Sequence, residues 1–179
     1  MNISETIFNS KQTNNRLQKE IETYELLDKL NIAYTGVDHE AALTIEDLYE
    51  VEKFLDVKVG KNLLLCNSSK TNFYLLIMPG DKKFLTKNFS KQIGSSRLSF
   101  ASKEHMEELL NITPGALSIL GLMFDKECKV NLAIDKEVLE YDFFGCHPCV
   151  NTSTIKIKTA DIINKFIAYT GHEAVIVEL

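Results

Sequence analysis

Leu63-Leu64-Leu65-Cys66, the turn formers Asn67-Ser68-Ser69-Lys70-Thr71-Asn72 and then Phe73-Tyr74-Leu75-Leu76-Ile77-Met78 decide the fold. Each apolar run is hydrophobic on both alternating faces, so each predicts a strand covered from both sides. The polar stretch between them is dense in turn residues and predicts a hairpin, which Pro79-Gly80-Asp81 ends. A hairpin buried on both faces belongs inside a sheet with helices on it.

Working toward the N-terminus, Thr44 can cap a helix with Asp47 three residues on, its apolar face carried by Leu48, Val51 and Leu55. Before it, Ile32 to Val37 reads as a strand. Leu17, Ile21, Tyr24, Leu27 and Leu30 recur at helical spacing after a cap at Asn14 or Asn15. Residues 1–13 are polar and aperiodic, and are expected to be a flexible extension.

Toward the C-terminus, Lys87 to Ile93 is a short helix closed by Gly94, and Ser102 caps another that Asn111-Ile112-Thr113-Pro114-Gly115 stops. Leu117 to Phe124 and Cys128 to Ile134 read as strands, Asp135 to Leu139 as a single helical turn, and Tyr141 to Gly145 as a strand. Thr154 to Lys158 alternates strictly and predicts a strand with one wet face. Thr159 is expected to cap a helix with Ile162, Ile163, Phe166 and Ile167 inward, Gly171 stops it, and Ala174 to Val177 is a last strand. The expected fold is α/β (α+β): a mixed sheet with helices packed on it, one domain over 14–179.

The 179 residues, 45% apolar, suffice for one core. No apolar run approaches the ~20 residues of a membrane span, the opening lacks a signal-peptide core, and four cysteines are too few to staple a secreted fold. These are traits of a soluble cytoplasmic protein without a membrane partner. A net charge of −5 argues against a DNA-coating surface. Charge is nonetheless uneven: Lys82, Lys83, Lys87, Lys91, Arg97 and Lys103 follow one another with no Asp or Glu between. That island is either a solvated lysine face or the reader of one nucleic-acid end.

Chemistry-bearing residues gather in Asp142-Phe143-Phe144-Gly145-Cys146-His147-Pro148-Cys149-Val150-Asn151-Thr152-Ser153-Thr154. Cys146 and Cys149 form a C-x-x-C, but a redox thiol needs a helix N-terminus, and a strand pattern follows instead. A zinc site would need a second ligand pair, which Cys66, Cys128, His39, His105 and His172 do not supply. His39 and His172 are read as structural. Serine-hydrolase, P-loop and dinucleotide patterns are missing. Lys61, directly before a doubly buried strand, either snorkels to solvent or enters a cleft as a point charge for phosphate.

Taken in order, Lys61-Asn62-Leu63-Leu64-Leu65, Thr113-Pro114-Gly115-Ala116-Leu117-Ser118 and His147-Pro148-Cys149-Val150-Asn151-Thr152-Ser153-Thr154 resemble the prolyl-tRNA editing domain family, the free-standing YbaK-like deacylases. The branch that hydrolyses alanyl-tRNA(Pro) is the most similar. The resemblance implies a mixed α/β fold, no metal or other cofactor, and hydrolysis of the ester joining a wrong amino acid to tRNA(Pro), with prolyl-tRNA synthetase a possible partner. It implies that Lys61 and His147 serve catalysis, that Asn62 shares the pocket, and that Gly115, Ala116, Leu117 and Ser118 form the substrate loop, held by Asn151 and Thr152. The basic island would touch the acceptor stem. Where the family loop ends in proline, this chain has Ile119. Two rivals are a non-catalytic tRNA- or synthetase-binding module of the same fold and a thiol redox protein.

Overall fold

The computed structural model describes residues 2–42, 44 and 46–179. Its strands are β1 (Ile3–Phe8), β2 (Tyr34–His39), β3 (Lys58–Asn67), β4 (Phe73–Pro79), β5 (Leu98–Phe100), β6 (Val130–Asp135), β7 (Phe143–Cys146), β8 (Ser153–Lys158) and β9 (Ala174–Val177). They form a nine-stranded sheet in the order β1-β2-β8-β7-β3-β4-β6-β9, with β5 also on β3. The sheet is mixed: β3 lies antiparallel to β4 and β5 but parallel to β7, and β4-β6-β9 run parallel.

The β3–β4 hairpin sits mid-sheet, in register from Gly60 opposite Pro79 to Cys66 opposite Phe73. The Asn67 carboxamide fixes its turn, Oδ1 accepting from Thr71 N at 2.9 Å and Asn72 N at 3.1 Å. Helices α1 (Gln18–Lys29), α2 (Tyr49–Leu55), α3 (Thr86–Gln92) and α4 (Lys103–Leu110) cover the sheet. Strand alternation splits β3 between two cores. Leu64 and Cys66 enter the large one with Tyr24, Leu27 and Phe166. Leu65 enters a second beneath α3, with Phe89 and Leu98.

Local turn chemistry acts where it was expected at Ser102, whose side chain accepts from His105 N, and at Gly94 and Gly171, both at positive φ. Thr44 and Asp47 make the reciprocal pair of a capping box, at 2.9 and 3.3 Å. The helix opens with a 3-10 turn, Glu46–Leu48.

Four expectations are corrected. Met1 lies outside the described residues, but the rest of the polar opening contains β1, which pairs with β2, and Phe8 is buried edge-on to Tyr24 at 5.8 Å. Helix α1 starts after Leu17, with no side-chain cap from Asn14 or Asn15. Leu117 to Phe124 is no strand: Ile119–Met123 is a 3-10 helix with every residue buried. An apolar run covered on all sides carries no period, so a buried helical turn and a central strand read alike. Thr159 begins the C-terminal helix without capping it; that helix passes through a π-helical stretch, Ile162–Ile167.

Candidate active site

The site begins as a gap in hydrogen bonding along one edge of β3. Strand β7 pairs with it only at Lys58 and Val59, and β5 only from Leu65 to Asn67, with Ala101 N donating to Leu64 O. Gly60, Lys61 and Asn62 have β4 on one side and, among the described residues, no paired strand on the other. A cavity of about 240 Å³ opens there. Gly60 is required by crowding, because a Cβ would lie 2.6 Å from the Phe144 ring.

Pro114, Gly115 and Leu117 form a second wall. Ala116 N donates to Thr113 O at 3.0 Å, and Gly115 has φ +88°. Proline second and a positive-φ glycine third define a type II turn, which this sequence selects locally. Ala116, expected in the substrate loop, has its amide engaged inside the turn and its side chain buried, and it does not line the cavity. Ser118 is buried outside the lining residues, where its hydroxyl accepts from Leu120 N at 3.2 Å. Gly115 and Leu117 remain on the cavity.

The third wall is Cys146 and His147 at the end of β7. His147 Nδ1 lies 2.8 Å from Ser153 O. A carbonyl only accepts, so Nδ1 carries the proton and Nε2 keeps its lone pair. Burial pushes the His147 pKa down to about 4, against the Ser153 bond and with His39 adding to the fall. The ring is neutral at pH 7. His39 lies behind it, ring centroids 5.9 Å apart, its Nε2 2.8 Å from Thr154 Oγ1 and its Nδ1 2.7 Å from Glu40 O.

Ala42, Thr44, Leu48, Val59 and Met106 complete the lining. Sequence reasoning did not place these five at the site; the Thr44 cap was readable, its position over a cavity was not. Among the described residues, no hydrogen bond joins Asn151 or Thr152 to the Gly115 loop. Asn151 Nδ2 donates to Ala42 O at 3.0 Å, its own carbonyl accepts from Ala42 N at 2.9 Å, and Thr152 O accepts from His39 N at 2.9 Å. They fix the segment that brings Ala42 to the cavity.

Lys61 and Asn62, successive in a strand, point to opposite faces. Asn62 Nδ2 donates to Gly60 O at 3.2 Å, while its Oδ1 is buried without a hydrogen-bond partner among the described residues. Lys61 sits in the cavity wall with its Nζ donating to Lys82 O at 2.9 Å. Lys82 is corrected from a nucleic-acid contact to an internal anchor: its Nζ meets Asp135 at 3.0 Å and Glu137 at 3.2 Å, and Asp135 is fully buried. Lys83, Lys87, Lys91 and Arg97 are exposed and in no ion pair among the described residues.

Cys146 and Cys149 are buried free thiols with no helix at the motif. Burial pushes Cys149 up to about 12 and Cys146 further, so neither supplies the thiolate that disulfide exchange requires. His172 is a buried partner of Asp125, at 3.1 Å. Among the described residues, no group of three or more His, Cys, Asp or Glu is arranged to hold a metal ion, and no helix is long and apolar enough to cross a membrane.

Residues 39–165, a span carrying most of these walls, match the model of the aminoacyl-tRNA editing domain. The chain belongs to that family. It is 30% identical over 153 residues to the "Prolyl-tRNA editing protein ProX" of Acetoanaerobium sticklandii, covering 86% of this chain and 93% of that one. It is likewise 30% identical over 162 residues to the "Prolyl-tRNA synthetase associated domain-containing protein 1" of Danio rerio, covering 89% and 86%. A solved structure put forward as a trans-editing enzyme for prolyl tRNA synthetase superposes with a TM-score of 0.67 at 13% identity, over 92% of this chain and 99% of that one, and so shares the editing-domain fold.

Proposed function

We propose that this editing-domain protein hydrolyses, in trans, the ester joining a wrong amino acid to tRNA(Pro), with alanyl-tRNA(Pro) as its preferred substrate. The observation that supports the reading most is the meeting of three distant segments, Gly60 to Asn62, the turn carrying Pro114, Gly115 and Leu117, and His147, on one small cavity. The name of the Acetoanaerobium sticklandii relative supports the same activity.

An aminoacyl ester is already activated, so a site needs to position water and stabilise the developing oxyanion more than to supply a nucleophile. Water adds to the ester carbonyl, the bond to the ribose oxygen breaks, and that oxygen takes a proton. Lys61 would neutralise the terminal phosphate or the growing negative charge. The Gly115 and Leu117 amides are the loop donors left for the oxyanion once Ala116 is excluded. His147, neutral and acceptor-only at Nε2, orients water or a substrate hydroxyl; a pKa near 4 makes it a weak base at neutral pH. The ribose 2′-hydroxyl then shares in activating water. A small pocket admits alanine and rejects proline by clash. Ile119, buried at the head of its 3-10 helix, replaces the loop proline as a packed anchor.

The test is release of amino acid from alanyl-tRNA(Pro) and a panel of other mischarged tRNA(Pro) species by purified protein. Release above the buffer rate, fastest for alanine, is expected. Buffer-rate decay of every species overturns the activity, and tRNA binding without turnover would reassign the chain to a cytoplasmic tRNA- or synthetase-binding module.

A further inference from the structure

Beyond the cavity, a ladder of aromatic rings climbs from the core to solvent. Phe89, fully buried, meets Phe84 at 6.2 Å, and Phe84 meets Phe100 at 6.2 Å with planes 59° apart. Phe100 is 61% exposed on the short strand β5. Phe100 rests on half-buried Phe84, which rests on buried Phe89, and a phenylalanine backed in this way presents a π-face at little entropic cost.

The surroundings fix the sign of the occupant. Lys83 precedes Phe84, Lys87 and Lys91 lie one turn apart on α3, and Arg97 stands three residues before Phe100. All four are exposed and in no ion pair among the described residues, and residues 82–103 contain no Asp or Glu. Aromatic faces among unpaired cations suit unpaired nucleotides, whose bases stack while their phosphates are neutralised.

The ladder also adjoins the cavity. Phe100 pairs across from Leu65, and cross-strand partners share a face, which is the face of Leu63 and Lys61. Phe84 is two residues, at most ~7 Å, from Lys82, whose carbonyl holds the Lys61 ammonium.

We propose that Phe84 and Phe100 form a stacking platform for unpaired nucleotides at the 3′ end of the RNA substrate, with Lys83, Lys87, Lys91 and Arg97 as its phosphate contacts. The proposal rests on the function above only for the identity of that RNA.

Its test uses uncharged RNA, so it stands apart from ester hydrolysis. Anisotropy is measured with the full chain, a single-stranded RNA of about six nucleotides and a blunt RNA duplex. Tighter binding of the single strand is expected. Phe100→Ala, at an exposed position that leaves the core intact, should weaken it about 5- to 100-fold, and Phe100→Tyr should retain it. Lys87→Glu with Lys91→Glu should flatten the salt dependence by ~0.7 per lost contact.

Unchanged affinity in Phe100→Ala, or an equal loss toward duplex, overturns the platform. So does sedimentation in which Phe100→Ala dissociates a dimer with RNA affinity intact, which assigns the face to a second copy of the chain. Stacking without ester cleavage would sink the hydrolase reading and leave the platform standing; cleavage with unaltered RNA affinity would do the reverse.

Discussion

The Lys61 ammonium donates to the main-chain carbonyl of Lys82 at 2.9 Å, and the Lys82 ammonium is in turn held by Asp135 and Glu137. One lysine of the pair is thus placed by another whose own charge is engaged. Lys61→Ala is predicted to lower deacylation of mischarged tRNA(Pro) by about 10²-fold or more, the scale of one lost transition-state contact, with little change in Tm. Full activity with native Tm would remove Lys61 from the reaction.

Lys82→Met separates the anchor from the surface cations. It leaves the buried Asp135 carboxylate without its cation; because Lys82 keeps some solvent, the cost is about 2 kcal/mol, below the range for a fully buried pair. Lys83→Met should leave stability unchanged. Denaturant titration of both variants checks this, and equal midpoints would contradict the anchoring role.

His147 gives the site a pH signature. Its folded pKa, about 4, lies below the ordinary histidine value, so the unfolded chain binds the extra proton between about pH 6.5 and 4. Stability from this group is complete above that window and is lost as pH falls through it, at up to ~1.4 kcal/mol per unit. His39 is depressed by burial in the same direction. His147→Asn should therefore flatten, without abolishing, the acid decline seen in denaturation at pH 7 and pH 5. His147→Ala should cost less activity than Lys61→Ala, and wild-type activity should drop below about pH 5 as Nε2 is protonated.

Ser153 joins the site to α1. Its carbonyl fixes His147, while its hydroxyl donates to Asp38 at 2.7 Å and accepts from Arg16 at 2.9 Å, beside Glu20 at 3.2 Å. Burial holds the Glu20 carboxyl above its usual range, although Arg16 opposes the shift. Ser153→Ala is predicted to lose about 1–3 kcal/mol, the cost of leaving buried polar groups short of a partner. An unaltered unfolding midpoint would exclude this link.

Cysteine accessibility gives a check independent of tRNA. Alkylation of the native protein followed by mass spectrometry should label exposed Cys128 and spare Cys66, Cys146 and Cys149. Prompt labelling of Cys146 or Cys149 would restore the thiol reading.

Much of this fold was legible because it is local. The Asn67 turn, the Ser102 cap and the glycine stops at Gly94 and Gly171 are set by neighbouring residues, and the β3–β4 hairpin follows from its two apolar runs. Ile119 to Met123 misled because an apolar run buried all round has no period to read. The N-terminal strand escaped because ISETIF at Ile3–Phe8 alternates weakly and half of it is exposed. At the site, motif order brought Lys61, Asn62, Gly115, Leu117 and His147 to one place. The Lys82–Asp135 pair and the His39–Thr154 contact span 53 and 115 positions, and nothing local in the sequence encodes them.

The recognisable family span, 39–165, opens on the last residue of β2 and closes inside the π-helical stretch. A polypeptide trimmed to it would bare the edge of β8 that β2 covers and the edge of β6 that β9 covers, and would lose the Tyr24 and Leu27 side chains from the large core. Open edges recruit other strands. The span that the family model matches is thus smaller than the portion that folds, and excising it should yield aggregates instead of a minimal folded domain.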